Sequence, residues 1–219
     1  MSIGAMVDGG LPVIPILVGD DPLALESRLD DFADAGIKAI EVVLRTPRSL
    51  EVLARAAGHP RVSVGAGTVL TPSQLADVVA AGAAFAVSPG YDPDLVAEAA
   101  QLDIAYLPGV ATSSEVMRAW RAGITAVKFF PAEFAGGAPF LAAMAQVYPL
   151  MRFVPTGGID LETAPQYLRL SNVIACGGSW LGHGLTDRRD LHIVTLAATR
   201  VALTPFTRSA ANKEEDPQS

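Results

Sequence analysis

A series of strand-length apolar segments, each followed by a helix that opens on a side-chain cap and a proline, constrains this 219-residue chain more than any other feature. Asp21-Pro22, Thr46-Pro47, Thr71-Pro72 and Asp92-Pro93 each offer an N-cap oxygen and then a proline at the first helical position, where a missing N–H costs nothing. Thr112-Ser113-Ser114-Glu115 reads as a capping box, and Gly36, Gly58, Gly82 and Gly123 stand where helices should stop. The apolar runs predict strands at 13–18, 39–45, 62–68, 85–89, 105–108, 126–131, 152–155 and 173–176, with a closing helix near 191–202. Eight strand–helix units at intervals of roughly 20–26 residues predict an α/β fold, a (β/α)8 TIM barrel. Without an interior linker, residues 1–203 form one catalytic domain in this reading, and the polar stretch 204–219 a disordered tail. A doubly wound open sheet is the alternative, and the unbroken run of eight units favours closure.

Composition narrows the partners. A net charge of −7 argues against nucleic acid or an anionic membrane surface, while leaving room for a small anion in a locally positive site. The single cysteine, Cys176, excludes an intrachain disulfide and fits a reducing compartment. The first residues lack the basic start and apolar core of a signal peptide, and no run is long enough to cross a bilayer, so the expectation is a soluble, cytoplasmic protein.

In such a barrel the site lies at the carboxyl ends of the strands. Those ends carry Glu41 to Thr46, Gly65-Ala66-Gly67-Thr68, Ser88-Pro89-Gly90, Lys128 to Pro131, Thr156-Gly157-Gly158 and Gly177-Gly178-Ser179. Small residues there let backbone approach a ligand, though turns need glycine as well. Alternation along the second strand puts Glu41, Val43 and Arg45 on one face, opposite the wholly apolar Ile40, Val42 and Leu44. Glu41 and Arg45 are therefore expected to point inward. Inward residues of even-numbered strands share layers, so the second and sixth strands can bring Glu41 and Lys128 together. The glycine turns after the seventh and eighth strands occupy the usual phosphate-holding positions of this architecture.

Lys128 is the unusual residue. It sits within Ala126-Val127-Lys128-Phe129-Phe130-Pro131, and an unpaired buried ammonium is costly. Either the amine is kept neutral and nucleophilic, or it snorkels or pairs with a carboxylate. Of the three lysines, Lys38 and Lys213 lie in solvated settings, which leaves Lys128 as the candidate for covalent chemistry. A buried group of Glu41, Arg45 and Lys128 can be a structural charge network. Its place at the open end favours function: a base, an anion clamp and a nucleophile are what binding a 2-oxo acid and forming an imine require. His59, His183 and His192 assemble no metal cluster, and Cys176 reads as a small buried hydrophobe. Glu133 is expected to face solvent, and Trp180 reads equally as a loop anchor or a lid.

With these motifs assembled, the chain resembles the 2-dehydro-3-deoxy-6-phosphogluconate (KDPG) and 4-hydroxy-2-oxoglutarate (KHG) aldolases over about residues 12–181. The resemblance rests on Glu41-Val-Val-Leu-Arg-Thr46, Val64-Gly-Ala-Gly-Thr-Val-Leu70, Ser88-Pro-Gly90, Val127-Lys-Phe-Phe-Pro-Ala-Glu133, Pro155-Thr-Gly-Gly-Ile159 and Gly177-Gly-Ser-Trp180. It implies a class I, Schiff-base lyase of the Entner–Doudoroff pathway that works without cofactor or metal. It also implies an imine on Lys128 and proton transfers by Glu41. The resemblance places the pyruvate carboxylate on Arg45 and Thr68, facial selection at Thr156, and phosphate on Gly157, Gly158, Gly178 and Ser179. The expected substrate is a phosphorylated 2-oxo acid, with 4-hydroxy-2-oxoglutarate as a second one, and the expected assembly is a homotrimer. Val43 departs from the threonine common at its position. Arg45-Thr46 and Trp180 favour the gluconate-derived over the galactonate-derived substrate. A metal-dependent phosphosugar lyase and a non-catalytic phosphate-binding barrel are the competing readings.

Overall fold

Among the described residues, nine parallel strands carry the fold. A computed structural model describes residues 3–181, apart from 20 and 27. The strands are β1 (Val13–Leu17), β2 (Ala39–Val43), β3 (Ser63–Gly67), β4 (Phe85–Val87), β5 (Ala105–Leu107), β6 (Gly109–Val110), β7 (Ala126–Phe129), β8 (Arg152–Pro155) and β9 (Cys176–Gly178). Helices α1 (Ile3–Val7), α2 (Pro22–Glu26), α3 (Leu29–Asp34), α4 (Ser49–Ala56), α5 (Pro72–Ala80), α6 (Pro93–Gln101), α7 (Ser113–Arg121), α8 (Gly137–Val147) and α9 (Ala164–Leu168) intervene.

The strands form a six-stranded sheet in the order β5-β4-β3-β2-β1-β9 and a three-stranded sheet β6-β7-β8. Isolated parallel bridges, Phe153 to Val173 and Thr156 to Gly177, join β8 to the segment containing β9. On the other side the Lys128 amide donates to the Pro108 carbonyl at 2.9 Å, between β5 and β6. Ile14, Ala39, Phe85, Val87, Leu107, Val154 and Ala175 come from both sheets and share one apolar interior, which Met6 and Val7 of α1 close from below. The opposite strand faces pack under the helices, with Phe32, Leu53 and Leu75 on one side and Phe129, Phe153 and Tyr167 on the other. β1 and β2 are buried at every residue, as parallel strands covered on both faces must be.

The caps form as their residue types require. Thr71 Oγ1 accepts from the Gln74 amide at 3.2 Å and Asp92 Oδ1 from the Asp94 amide at 2.8 Å, ahead of α5 and α6. Gly82 and Gly123 (φ +88° and +78°) turn the chain after α5 and α7 in the left-handed region that side chains disfavour.

Several expected boundaries shift. The fifth expected strand, 105–108, becomes β5 and β6 on either side of Pro108, which has no N–H to give a ladder. Thr46 does not cap a helix directly. Its hydroxyl bonds the Gly19 carbonyl at 3.1 Å and Ser49 Oγ at 2.8 Å, and α4 begins at Ser49. The helix expected from Pro22 to Gly36 is split into α2 and α3, and the last expected strand, 173–176, begins only at Cys176. The helix α1 was not expected in a lead without periodicity. The closing helix near 191–202, the tail 204–219, His183 and His192 lie outside the described residues. Among the described residues, no helix is long and apolar enough to cross a membrane.

The expected capping box at the start of α7 is present: Thr112 Oγ1 accepts from the Glu115 amide, and Glu115 Oε2 accepts from the Ala111 and Thr112 amides and the Thr112 hydroxyl. Burial alone would raise the Glu115 carboxyl, but these hydrogen bonds outweigh it and hold the group below its ordinary 4.5. A carboxyl depressed in the folded state contributes stability above its unfolded value, and loses that contribution as pH falls through the folded one. Glu115→Gln is expected to lower stability near neutrality, with the gap to the parent narrowing as pH falls below 4.5. Urea titrations of both proteins across that range check this, and a gap independent of pH would contradict it.

Candidate active site

Ala39 faces the apolar interior, so Glu41, two residues further along β2, faces it one layer nearer the carboxyl end. Ala126 and Lys128 stand in the same relation on β7. Lys128 Nζ donates to Glu41 Oε1 at 3.1 Å, across 87 residues of sequence and between the two sheets. The two residues are only 4% and 6% exposed, so the pair is almost wholly removed from water. This is the juxtaposition expected from strand alternation. Removing one partner of such a pair leaves an uncompensated charge and typically costs about 3–5 kcal/mol.

Room for the carboxylate comes from β3. A Cβ on Gly67 would stand 1.9 Å from Glu41 Oε1, and one on Gly65 would stand 2.4 Å from the Phe85 ring. The Gly65-Ala66-Gly67 spacing therefore empties two positions on one strand face, and neighbouring side chains fill both. Sequence reading took these glycines for places of ligand approach; at Gly67 the approaching group is Glu41 itself.

Thr68 follows Gly67 with φ +60°, a left-handed conformation unusual for a threonine and a local store of strain. Its hydroxyl accepts from Arg45 Nε at 3.3 Å. Arg45 was expected inside on a continuous strand. It lies instead past the end of β2, exposed, where its own amide has turned back to the Val43 carbonyl. The Leu44 amide bonds the Gly67 carbonyl, which holds the Arg45–Thr68 contact beside the Glu41 pocket. An accessible guanidinium at the rim suits a carboxylate that must enter and leave.

On the other side of Lys128 stands Phe130, its ring centroid 5.5 Å from Nζ. Two residues along the chain from Lys128, Phe130 falls on the same face by strand alternation, and it is absent from the site residues expected from sequence. Beyond it comes the Thr156-Gly157-Gly158 turn. Thr156 is buried, and a Cβ on its bridge partner Gly177 would meet Thr156 Oγ1 at 2.4 Å. Gly157 and Gly158 have φ +98° and +80°. A Cβ on Gly157 would press on Phe130 and Pro131 at 3.1 and 3.2 Å. Among the described residues no acceptor is found for the Gly158 amide, a backbone donor of the kind that anions use.

Gly178 is buried and Ser179 exposed at the end of β9. A Cβ on Gly178 would stand 1.9 Å from Trp180 Nε1, so the glycine seats the indole. Trp180 is half-buried and packs against the helix-covered core on both sides, which makes it an anchor. Glu133 is exposed as expected, but its Oε1 also accepts from the hydroxyl of the buried Tyr167. Burial pushes the Cys176 thiol up to about 12, in keeping with an inert core residue.

A parallel α/β fold with a buried amine and carboxylate at the strand carboxyl ends defines the class, an α/β enzyme. The chain belongs to the KDPG and KHG aldolase family: the family model "Aldolase: KDPG and KHG aldolase" matches residues 7–196. The 2-dehydro-3-deoxy-phosphogluconate aldolase of Treponema pallidum (strain Nichols) is 41% identical over 172 residues, 78% of this chain and 80% of that protein. A solved KDPG aldolase of Zymomonas mobilis ZM4 with 3-phosphoglycerate aligns with TM-score 0.82 and 38% identity, covering 90% of this chain and 94% of that one. A KDPG aldolase from Legionella pneumophila, with pyruvate captured as a covalent carbinolamine, aligns with TM-score 0.78 and 39% identity over 92% and 96% of the two chains.

Gly67→Ala is the sharpest test of this geometry. The added methyl must displace the Glu41 carboxylate from Lys128 while the strand itself is retained. A misplacement of this size is expected to lower kcat for aldol cleavage about 100-fold. Steady-state kinetics alongside a thermal melt check it, and a fully active variant would contradict the packing.

Proposed function

We propose that this chain is a class I aldolase that cleaves 2-dehydro-3-deoxy-6-phosphogluconate to pyruvate and glyceraldehyde 3-phosphate through an imine on Lys128. The observation that carries the reading is the buried Lys128–Glu41 pair at 3.1 Å, in a chain of this family. The covalent carbinolamine of pyruvate in the Legionella enzyme supports covalent capture by a relative, and 3-phosphoglycerate in the Zymomonas enzyme supports a phosphate-ester site.

The chemistry follows from the arrangement. Glu41 takes a proton from Nζ, and the neutral amine attacks C2 of the substrate. Proton transfer to the resulting hydroxyl expels water and leaves a protonated imine. Glu41 then accepts the C4 hydroxyl proton as the C3–C4 bond breaks. The bonding pair moves into the imine to give an enamine, and glyceraldehyde 3-phosphate departs. Protonation at C3 by Glu41 gives the pyruvate imine, which the same molecule's worth of water hydrolyses. Arg45 and Thr68 hold the substrate carboxylate at the rim and fix the reacting plane. Thr156 faces the aldehyde portion. The N–H groups of Gly157 and Gly158, with Gly178 and Ser179 across the bridge to β9, take the phosphate.

The shorter substrate 4-hydroxy-2-oxoglutarate, which splits to pyruvate and glyoxylate, fits the same imine. The wider assignment completes the proposal: an eight-stranded (β/α)8 barrel over residues 1–203, with β5 and β6 as one interrupted strand, acting in the cytoplasm as a homotrimer. The shared apolar interior and the bridges from β8 to the β9 segment support closure.

Borohydride reduction with pyruvate, followed by peptide mass spectrometry, is expected to place the adduct on Lys128 alone, and EDTA is expected to leave turnover intact. Glu41→Gln should lower kcat by about 10²–10⁴-fold. An adduct on another residue, or none, would refute the imine, and loss of activity on chelation would favour metal-dependent chemistry. Turnover of the galactonate-derived epimer at a higher kcat/KM would reverse the substrate assignment.

A further inference from the structure

The Val127-Lys-Phe-Phe-Pro-Ala-Glu133 motif ends in a carboxylate that the proposed reaction does not use. Its surroundings give it a task. The Ala132 amide bonds the Thr156 carbonyl at 2.8 Å and the Glu133 amide bonds the Gly157 carbonyl at 3.1 Å, so this segment fastens the glycine turn by its backbone. The side chain adds a third contact: a Cβ on Gly158 would stand 2.8 Å from Glu133 Cβ and Cγ. The stem of Glu133 thus lies against Gly158, while its carboxylate accepts from the Tyr167 hydroxyl on α9. Tyr167 is fully buried, which gives the carboxylate a fixed anchor.

This placement sets an electrostatic problem. An anion stands beside the N–H groups proposed to take the phosphate, of which the Gly158 one has no acceptor among the described residues. A loose carboxylate here would compete for those groups and would repel a phosphate arriving at them. We propose that Tyr167 and Glu133 are positioning residues for the phosphate-binding turn: Tyr167 draws the Glu133 carboxylate away from the turn, so that the stem braces Gly158 while the N–H groups stay open to the phosphate. The inference rests on the proposed role of Gly157 and Gly158 in phosphate binding.

The test compares 2-dehydro-3-deoxy-6-phosphogluconate with the unphosphorylated 4-hydroxy-2-oxoglutarate, together with inhibition by inorganic phosphate. Tyr167→Phe removes one hydroxyl and frees the carboxylate. It is expected to raise KM for the phosphorylated substrate and the inhibition constant of phosphate about three- to tenfold, with kcat retained. Constants for 4-hydroxy-2-oxoglutarate should stay at parental values. Adding Glu133→Gln to Tyr167→Phe removes the competing charge and should restore much of the lost phosphate affinity. Equal damage to both substrates, or a double variant no better than the single one, would overturn the proposal in favour of a merely structural contact. If the parent is indifferent to phosphate and to the phosphoryl group of the substrate, the phosphate-turn reading itself falls. A phosphate-sensitive parent with an unchanged Tyr167→Phe variant defeats only the positioning role.

Discussion

Two opposite charges held out of water in the middle of an apolar fold depend on each other and on everything around them. Glu41 and Lys128 belong to different sheets, so their contact forms only when both sheets enclose one interior. Taking either group out of water costs several kcal/mol, and attraction across a short hydrogen bond offsets that only when the geometry is good. The geometry is set by absences. Gly67 leaves the volume that the carboxylate occupies, and Gly65 leaves the volume for Phe85 in the apolar layer below. One strand thus carries an empty position for the site and another for the core, two residues apart.

From that pair outward the interior is ordered by height along the strands. α1 closes the lower end with Met6 and Val7, and the apolar layer of Ile14, Ala39, Phe85 and Val154 follows. The charged pair comes next, and the rim with Arg45, Thr68 and the glycine turn stands above it. Thr68 in a left-handed conformation and two glycines with positive φ all lie at that rim. Backbone strain is concentrated at the rim proposed to meet the ligand, and the regular strands beneath supply the packing that holds it.

Much of this was legible in the sequence because the relevant signals are local. Prolines after Asp92 and Thr71 marked helix starts, glycines marked stops, and two-residue alternation put Glu41 and Lys128 on inward faces. What escaped depends on contacts between distant segments. Nothing near Arg45 tells that the chain turns just before it. The seat that Gly67 makes for Glu41, and the one that Gly178 makes for Trp180, are statements about a neighbour's side chain. Tyr167 was invisible for the same reason: on its own helix it is one more buried aromatic, and only the fold brings its hydroxyl to Glu133.

Whether the lysine and glutamate serve stability or chemistry can be argued from energetics. A buried ion pair replaced by well-packed apolar residues of similar volume often leaves a protein as stable or more so, so the pair is poor material for a core. The layer just below shows that this interior is readily filled by alanine, valine and phenylalanine. A charged pair one step above, beneath an accessible arginine and beside the Thr156-Gly157-Gly158 turn, gains little as a structural device. It gains a great deal as a nucleophile and its base, because a desolvated amine next to a proton acceptor is already arranged for attack on a carbonyl. The same low dielectric that makes the pair costly to bury strengthens its grip on the charges that develop during reaction.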